Sequence, residues 1–137
     1  MTHKRKRLLI IIGTRPEAIK LAPVIIEAER SGHFDVHVVG TGQHREMLDQ
    51  MIKQFNINID DDLDIMRPDQ NLCDVTTSAL TGIYQVIDDT KPDCVIVQGD
   101  TTTTFCGALA AFYRNIPVAH VEAGLRTYDR KQPFPEE

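Results

Sequence analysis

Several short segments of this chain place acids, cations and hydroxyls where they could do chemistry. A β-branched run ends at Ile12 and is followed by Gly13-Thr14-Arg15-Pro16-Glu17-Ala18-Ile19-Lys20. A glycine there lets backbone approach a ligand, and the first N–H groups of a following helix form an anion site. Arg15 adds a planar cationic fork for phosphate, and Lys20, about one turn further on, can reach the same pocket. The segment is neither GxGxxG nor a Walker loop, and a turn followed by a solvated arginine has the same spacing. A second apolar run ends in Gln98-Gly99-Asp100, leading into Thr101-Thr102-Thr103-Thr104. Asp100 is either a ligand-facing carboxylate or a helix cap accepting backbone N–H bonds. Consecutive threonines are poor helix formers, and at a helix start in a crevice they offer hydroxyls to a polar ligand.

A third run gives Val121-Glu122-Ala123-Gly124-Leu125-Arg126. A glutamate at the end of a central strand is partly desolvated, which raises its pKa and suits it to proton transfer. A salt bridge to Arg126 or another basic residue is the plainer alternative. Glu136 and Glu137 follow Phe134-Pro135, a stiff loop that either aims a carboxylate or simply turns. Converging carboxylates with Arg15 and Lys20 describe acid–base chemistry on an anionic substrate.

These residues need a scaffold, and the hydrophobic pattern supplies one. Strands are expected over 7–12, 34–39, 93–97 and 117–121, with a weaker one within 57–65. Helices are expected over 16–30, 44–55, 71–89 and 101–114. Pro16 suits the first helical position and Gly32 stops that helix. Ile19, Ala22, Pro23 and Ile26 share one of its faces, and Leu72, Val75, Thr76, Ala79, Ile83 and Val86 are expected inward on the third. Met47, Leu48, Met51, Ile52 and Phe55 read as core packing, and Asp60-Asp61-Asp62 as a solvated loop. Strand–helix alternation with apolar strands implies an α/β fold, a Rossmann-like doubly wound parallel sheet ordered 3-2-1-4-5. In such sheets ligands bind outside the carboxyl ends of the strands, near the switch between strands 1 and 4. Residues 1–6 form a basic lead-in and 7–137 one Rossmann-like domain.

Composition excludes several classes. The 137 residues and 15.4 kDa give roughly 7,200 Å² of folded surface against roughly 22,000 Å² unfolded, enough burial for one core. The chain is 42% hydrophobic and 26% charged, with a net charge of −5, which argues against a nucleic-acid partner. No apolar run approaches the ~18 residues of a membrane span. The basic start Lys4-Arg5-Lys6-Arg7 resembles a signal-peptide n-region, but Gly13 to Glu17 interrupts the apolar stretch and no small-x-small cleavage site follows. Cys73, Cys94 and Cys106 lack CxxC spacing, so buried reduced thiols in a cytoplasmic protein fit better than a disulfide or zinc framework. His33, His37 and His120 read as core or surface residues rather than metal ligands.

Taken together, the segments resemble the non-hydrolysing UDP-N-acetylglucosamine 2-epimerases. The resemblance rests on Gly13 to Pro23, Thr41-Gly42-Gln43-His44-Arg45-Glu46-Met47-Leu48, Val97 to Thr104, His120 to Arg126 and Pro133 to Glu137. It implies the N-terminal half of a GT-B-type two-domain architecture with the active site between domains. The chain is thus expected to be an N-terminal portion, inactive alone, lacking the histidine and uridine-binding residues of the second domain and the arginine soon after the Glu pair. The implied chemistry interconverts UDP-N-acetylglucosamine and UDP-N-acetylmannosamine through a 2-acetamidoglucal, with no nicotinamide, metal or other cofactor.

By matching motif positions, Asp100, Glu122 and Glu136 would be the acid–base carboxylates, with Arg15 and Lys20 near the diphosphate or sugar. Gln43, His44 and Gln70 match a substrate-activation site of regulated members, but Glu46 and Asp69 stand where Gln and Arg are expected, which should weaken it. The resemblance also implies a homodimer for the longer proteins. A GT-B glycosyltransferase domain and a non-catalytic sugar-nucleotide-binding module are the alternatives, with the hydrolysing epimerases a lesser one.

Overall fold

A computed structural model of the chain describes residues 4–42, 45–124, 128, 129 and 131; the side chains of Arg45 and Met47 are outside that description. The elements run β1 (Lys6–Ile12), α1 (Arg15–Ser31), β2 (Phe34–Gly40), α2 (Arg45–Phe55), β3 (Asp61–Asp62), α3 (Leu72–Thr90), β4 (Cys94–Gln98), α4 (Thr102–Tyr113) and β5 (Val118–Val121). They lie within a residue or two of the expected spans. The strands form one parallel sheet in the order β3-β2-β1-β4-β5, the expected doubly wound topology.

Successive side chains of a strand face opposite ways, so a strand covered on both sides must be apolar throughout. Leu9 and Ile11 of β1 join Val95 and Val97 of β4 against Val75, Ala79, Ile83 and Ala110 of α3 and α4. Ile10 and Ile12 face the other way, with Val38 and Ile96, against Ala18, Leu21, Ala22, Ile25 and Leu48 of α1 and α2. Burying each such side chain is worth about 1.5–3 kcal/mol. That is why β1 and β4 sit at the centre, with the switch point between them.

Several expectations need correction. Ile19 and Ile26 are 40% and 45% exposed, and Pro23 is exposed too. Of the expected face only Ala22 is buried; it joins Ala18, Leu21, Ile25 and Ala28 on a face one step round the helix. Leu72 is exposed because it is the first residue of α3, ahead of the turn that reaches the sheet. The acidic run is not a free loop: Asp61 and Asp62 form β3. The Asp60 carboxylate accepts from the Val38 N–H at 2.7 Å, and Asp61 meets His37 Nε2 at 2.6 Å. Of the cysteines only Cys106 is buried, Cys94 is intermediate and Cys73 exposed; all three are free thiols. No helix among the described residues is long and apolar enough to cross a membrane.

Candidate functional site

The carboxyl ends of β1, β4 and β5 open on one side of the sheet, and most of the singled-out residues lie there. Thr14 ends the extended chain and caps α1, so Arg15 is its first residue and Lys20 follows about one turn and a half later. Both are exposed. Gln98 ends β4 opposite Val121 of β5, and the Gly99 N–H continues the ladder by donating to the Val121 carbonyl at 3.0 Å. Asp100 and Glu122 are therefore the next residues out on two neighbouring strands. His120 Nε2 donates to the Gly99 carbonyl at 2.6 Å, pinning the Asp100 turn to β5.

The structure joins two of the expected residues directly. Lys20 pairs with the Glu122 carboxylate, and Gln98 Nε2 donates to the same oxygen. Lys20 is thus a basic partner of Glu122; Arg126 lies outside the described residues. Glu122 follows β5 at the edge of the described sheet, and its side chain is 35% exposed. Its φ of 59° is in the left-handed region, which a non-glycine residue adopts only when its surroundings impose it.

Asp100 is exposed and does not cap α4. Thr101 does, its hydroxyl accepting from the Thr104 N–H at 3.3 Å. The threonines also differ from expectation, since Thr103 and Thr104 are buried and their hydroxyls face protein. Thr104 donates to the Gln98 carbonyl at 2.5 Å, and Thr103 lies 3.2 Å from the Thr41 hydroxyl. Gly13 is likewise needed by the protein itself. A Cβ there would fall 2.3 Å from Thr103 Oγ1 and 3.0 Å from Thr41 Oγ1.

Beneath the exposed residues sits a group the sequence reading passed over. Glu17 is 1% exposed. One carboxylate oxygen accepts from the Gly13 N–H at 3.1 Å, the Thr14 N–H at 2.5 Å and the Thr14 hydroxyl at 2.7 Å. The other accepts from the Thr101 hydroxyl at 2.9 Å, with Thr104 Oγ1 at 3.4 Å. Burial pushes the carboxyl above its ordinary range, and the hydroxyl and backbone donors pull it back only in part. The Thr-x-x-Glu spacing of a capping box was the signal that could have found it. Gln98, 3% exposed, was missed too; a polar residue closing the apolar run Cys94–Gln98 was its mark.

Elsewhere the expected residues are scattered or undescribed. Gln70 spends its amide on its own loop, accepting from the Arg67 N–H at 2.7 Å and donating to the Ile65 carbonyl at 2.8 Å. Glu46 and Asp69 are exposed. Gln43, His44 and Glu136 lie outside the described residues. Among the described residues no group of three or more His, Cys, Asp or Glu could hold a metal ion.

The arrangement is an ionic cluster at a parallel-sheet switch point, and comparison with known proteins says which family builds it. The family profile described as UDP-N-acetylglucosamine 2-epimerase matches residues 26–137. A UDP-N-acetylglucosamine 2-epimerase of Neisseria meningitidis is 54% identical over 131 residues, 96% of this chain and 35% of that protein. One from Bacillus subtilis is 51% identical over 134 residues, 98% of this chain and 35% of that protein. The crystal structure of the Neisseria meningitidis UDP-GlcNAc 2-epimerase bound to UDP-GlcNAc superposes with a TM-score of 0.89, covering 96% of this chain and 36% of that one. The chain thus spans about a third of the length of the relatives it matches. With its profile match, sheet order and strand-end motifs in agreement, this chain belongs to the UDP-N-acetylglucosamine 2-epimerase family.

Proposed function

We propose that this chain forms the acid–base and diphosphate-facing half of a UDP-N-acetylglucosamine 2-epimerase site. The observation that carries the reading is the Lys20–Glu122 pair, braced by Gln98, beside the Asp100 turn. The Lys20 and Glu122 side chains are 45% and 35% exposed. A pair so exposed contributes about 0–1 kcal/mol, so an arriving diphosphate can draw the ammonium away at little cost. Lys20 and Arg15 then face the leaving group, and Glu122 is released toward the sugar.

The reaction needs a base at C2 and stabilisation of the departing UDP. The C2 proton passes to a carboxylate, the C–H electron pair forms the C1=C2 double bond, and UDP leaves with the C1–O pair. The product is a 2-acetamidoglucal. Return of a proton to the opposite face of C2, and of the UDP oxygen to C1, gives the manno epimer. Asp100 and Glu122 leave adjacent strands and are placed to serve this step, and Glu136 is proposed as a third carboxylate from its motif position. Gln43, His44 and Gln70 are proposed as a substrate-activation subsite, and the longer protein as a homodimer.

The test grafts residues 1–137 in place of the matching third of the Neisseria meningitidis relative and follows UDP-N-acetylglucosamine by proton NMR in D₂O. Deuterium at C2 together with the manno epimer is expected, with loss of both on Asp100→Asn. A folded graft that binds the nucleotide sugar but exchanges no C2 proton would leave a binding module. Sugar transfer to an added acceptor without epimerisation would indicate a glycosyltransferase.

A further inference from the structure

Resting on that reading, we propose that Glu17 is a positioning residue: its carboxylate bridges the Arg15 turn to the Asp100 turn so that both meet one ligand. The paired register of β1 and β4 runs from Leu8–Cys94 to Ile10–Ile96. The carboxyl ends of the two strands beyond it flank the switch point, where a crevice opens. Glu17 spans that opening at depth. One oxygen takes donors only from the first turn, Gly13 and Thr14, and the other takes the Thr101 hydroxyl of the second.

Helix capping alone does not account for this. A capping box needs the bond to the Thr14 N–H, which glutamine can also accept. The bond to Thr101, 84 residues away in sequence, does nothing for α1. A carboxylate accepts from both turns at once, with room for about four bonds. An amide could keep its oxygen on the Gly13 and Thr14 N–H groups, but its NH₂ would face the Thr101 hydroxyl, which would have to turn from donor to acceptor. Arg15 and Asp100 directly follow Thr14 and Gly99 and directly precede Pro16 and Thr101, so movement of either turn moves a ligand-facing residue.

The test uses the 137-residue chain, UDP-N-acetylglucosamine as probe, and the variants Thr101→Val, Thr101→Ser, Thr101→Asp and Glu17→Gln. Thr101→Val cuts the bridge on the far turn without touching α1. It should weaken nucleotide-sugar affinity about tenfold, the worth of one charge-assisted hydrogen bond. Thr101→Ser keeps the hydroxyl, so the bridge and the α4 cap both return and affinity should come within about twofold of wild type, whereas Thr101→Asp still caps α4 but cannot donate to Glu17 and should stay weak. Glu17→Gln, which replaces the charged acceptor facing Thr101 by an amide, should weaken affinity no more than Thr101→Val, and the double variant little more than Thr101→Val alone, because both changes act on one bridge. Should Glu17→Gln not fold, the Thr101 variants carry the comparison. Wild-type affinity in Thr101→Val would overturn the proposal. If the unaltered chain does not bind the probe, the affinity comparison is made in the graft, where failure to bind counts against the epimerase reading, and amide exchange on the chain decides the bridge separately. Faster exchange of the Gly13 and Thr14 amides in Thr101→Val supports it, and unchanged exchange overturns it.

Discussion

Gly13→Ala should be among the most damaging single-methyl additions to this chain. The new Cβ would lie 2.3 Å from Thr103 Oγ1, 2.8 Å from Thr103 Cβ and 3.0 Å from Thr41 Oγ1. Ordinary carbon–oxygen contact needs roughly an ångström more than the first of these. Neither neighbour can step aside, since Thr103 is 1% exposed on the first turn of α4 and Thr41 is fully buried after β2. Relief must come from α4 moving off the sheet or from Gly13 moving off the Glu17 carboxylate, which holds its N–H at 3.1 Å. Overpacking costs about 1–3 kcal/mol and a stranded buried donor about 1–3 kcal/mol. The expected loss is about 2–4 kcal/mol, or about 10 °C in melting temperature for a chain of this size. Urea and thermal unfolding followed by circular dichroism would measure it. Adding Thr103→Ala removes the nearest atom, so the double variant should be less destabilised than the sum of the singles. A Gly13→Ala chain within about 0.5 kcal/mol of wild type would refute the claim that α4 is seated against this turn.

Three further outcomes follow from the same geometry. Because burial raises the Glu17 pKa in the folded chain, the folded state holds its proton more tightly than the unfolded chain between the ordinary value of 4.5 and the raised one. Its contribution to stability therefore falls as pH rises through that window, and the stability difference from Glu17→Gln, measured by urea unfolding, should slope accordingly. Lys20→Met breaks an exposed pair, so unfolding free energy should shift by less than about 1 kcal/mol, while affinity for UDP-N-acetylglucosamine drops severalfold in titration. Phe105, Phe112 and Tyr113 of α4 are 58%, 72% and 57% exposed. Such a patch favours association, so sedimentation should show self-association that Phe112→Ser reduces.

The fold was legible because its strands carry the period-two burial rule so plainly. β1 and β4 are covered on both faces and read as unbroken apolar runs, and Gly32 ends α1 with a φ of 69°. The misreadings share a cause: position on a helix was inferred without knowing where the sheet lies. Ile19 and Ile26 satisfy helical spacing as well as Ala18, Leu21 and Ile25 do, yet only the latter set lies on the side of α1 turned to the strands. The weak strand expected within 57–65 falls on the acidic run that read as a loop, because its pairing rests on backbone and on the Asp60 carboxylate, not on apolar side chains.

The site was legible at its surface and hidden one layer down. Arg15, Lys20, Asp100 and Glu122 are charged residues at strand ends, where the parallel sheet sends ligands, and topology alone brings them to one crevice. What topology does not reveal is which polar groups the protein keeps for itself. The threonines after Asp100 looked like ligand-facing groups, and Glu17 and Gln98 did not stand out. They instead form a buried network in which each hydroxyl or carboxylate answers a backbone or side-chain partner. A buried carboxylate costs stability unless donors surround it, so its presence under the crevice has to be offset by what it holds. Here it holds two turns, each carrying one exposed charged residue, Arg15 and Asp100. A reading confined to exposed charges would list the same four residues and leave unexplained what fixes their spacing.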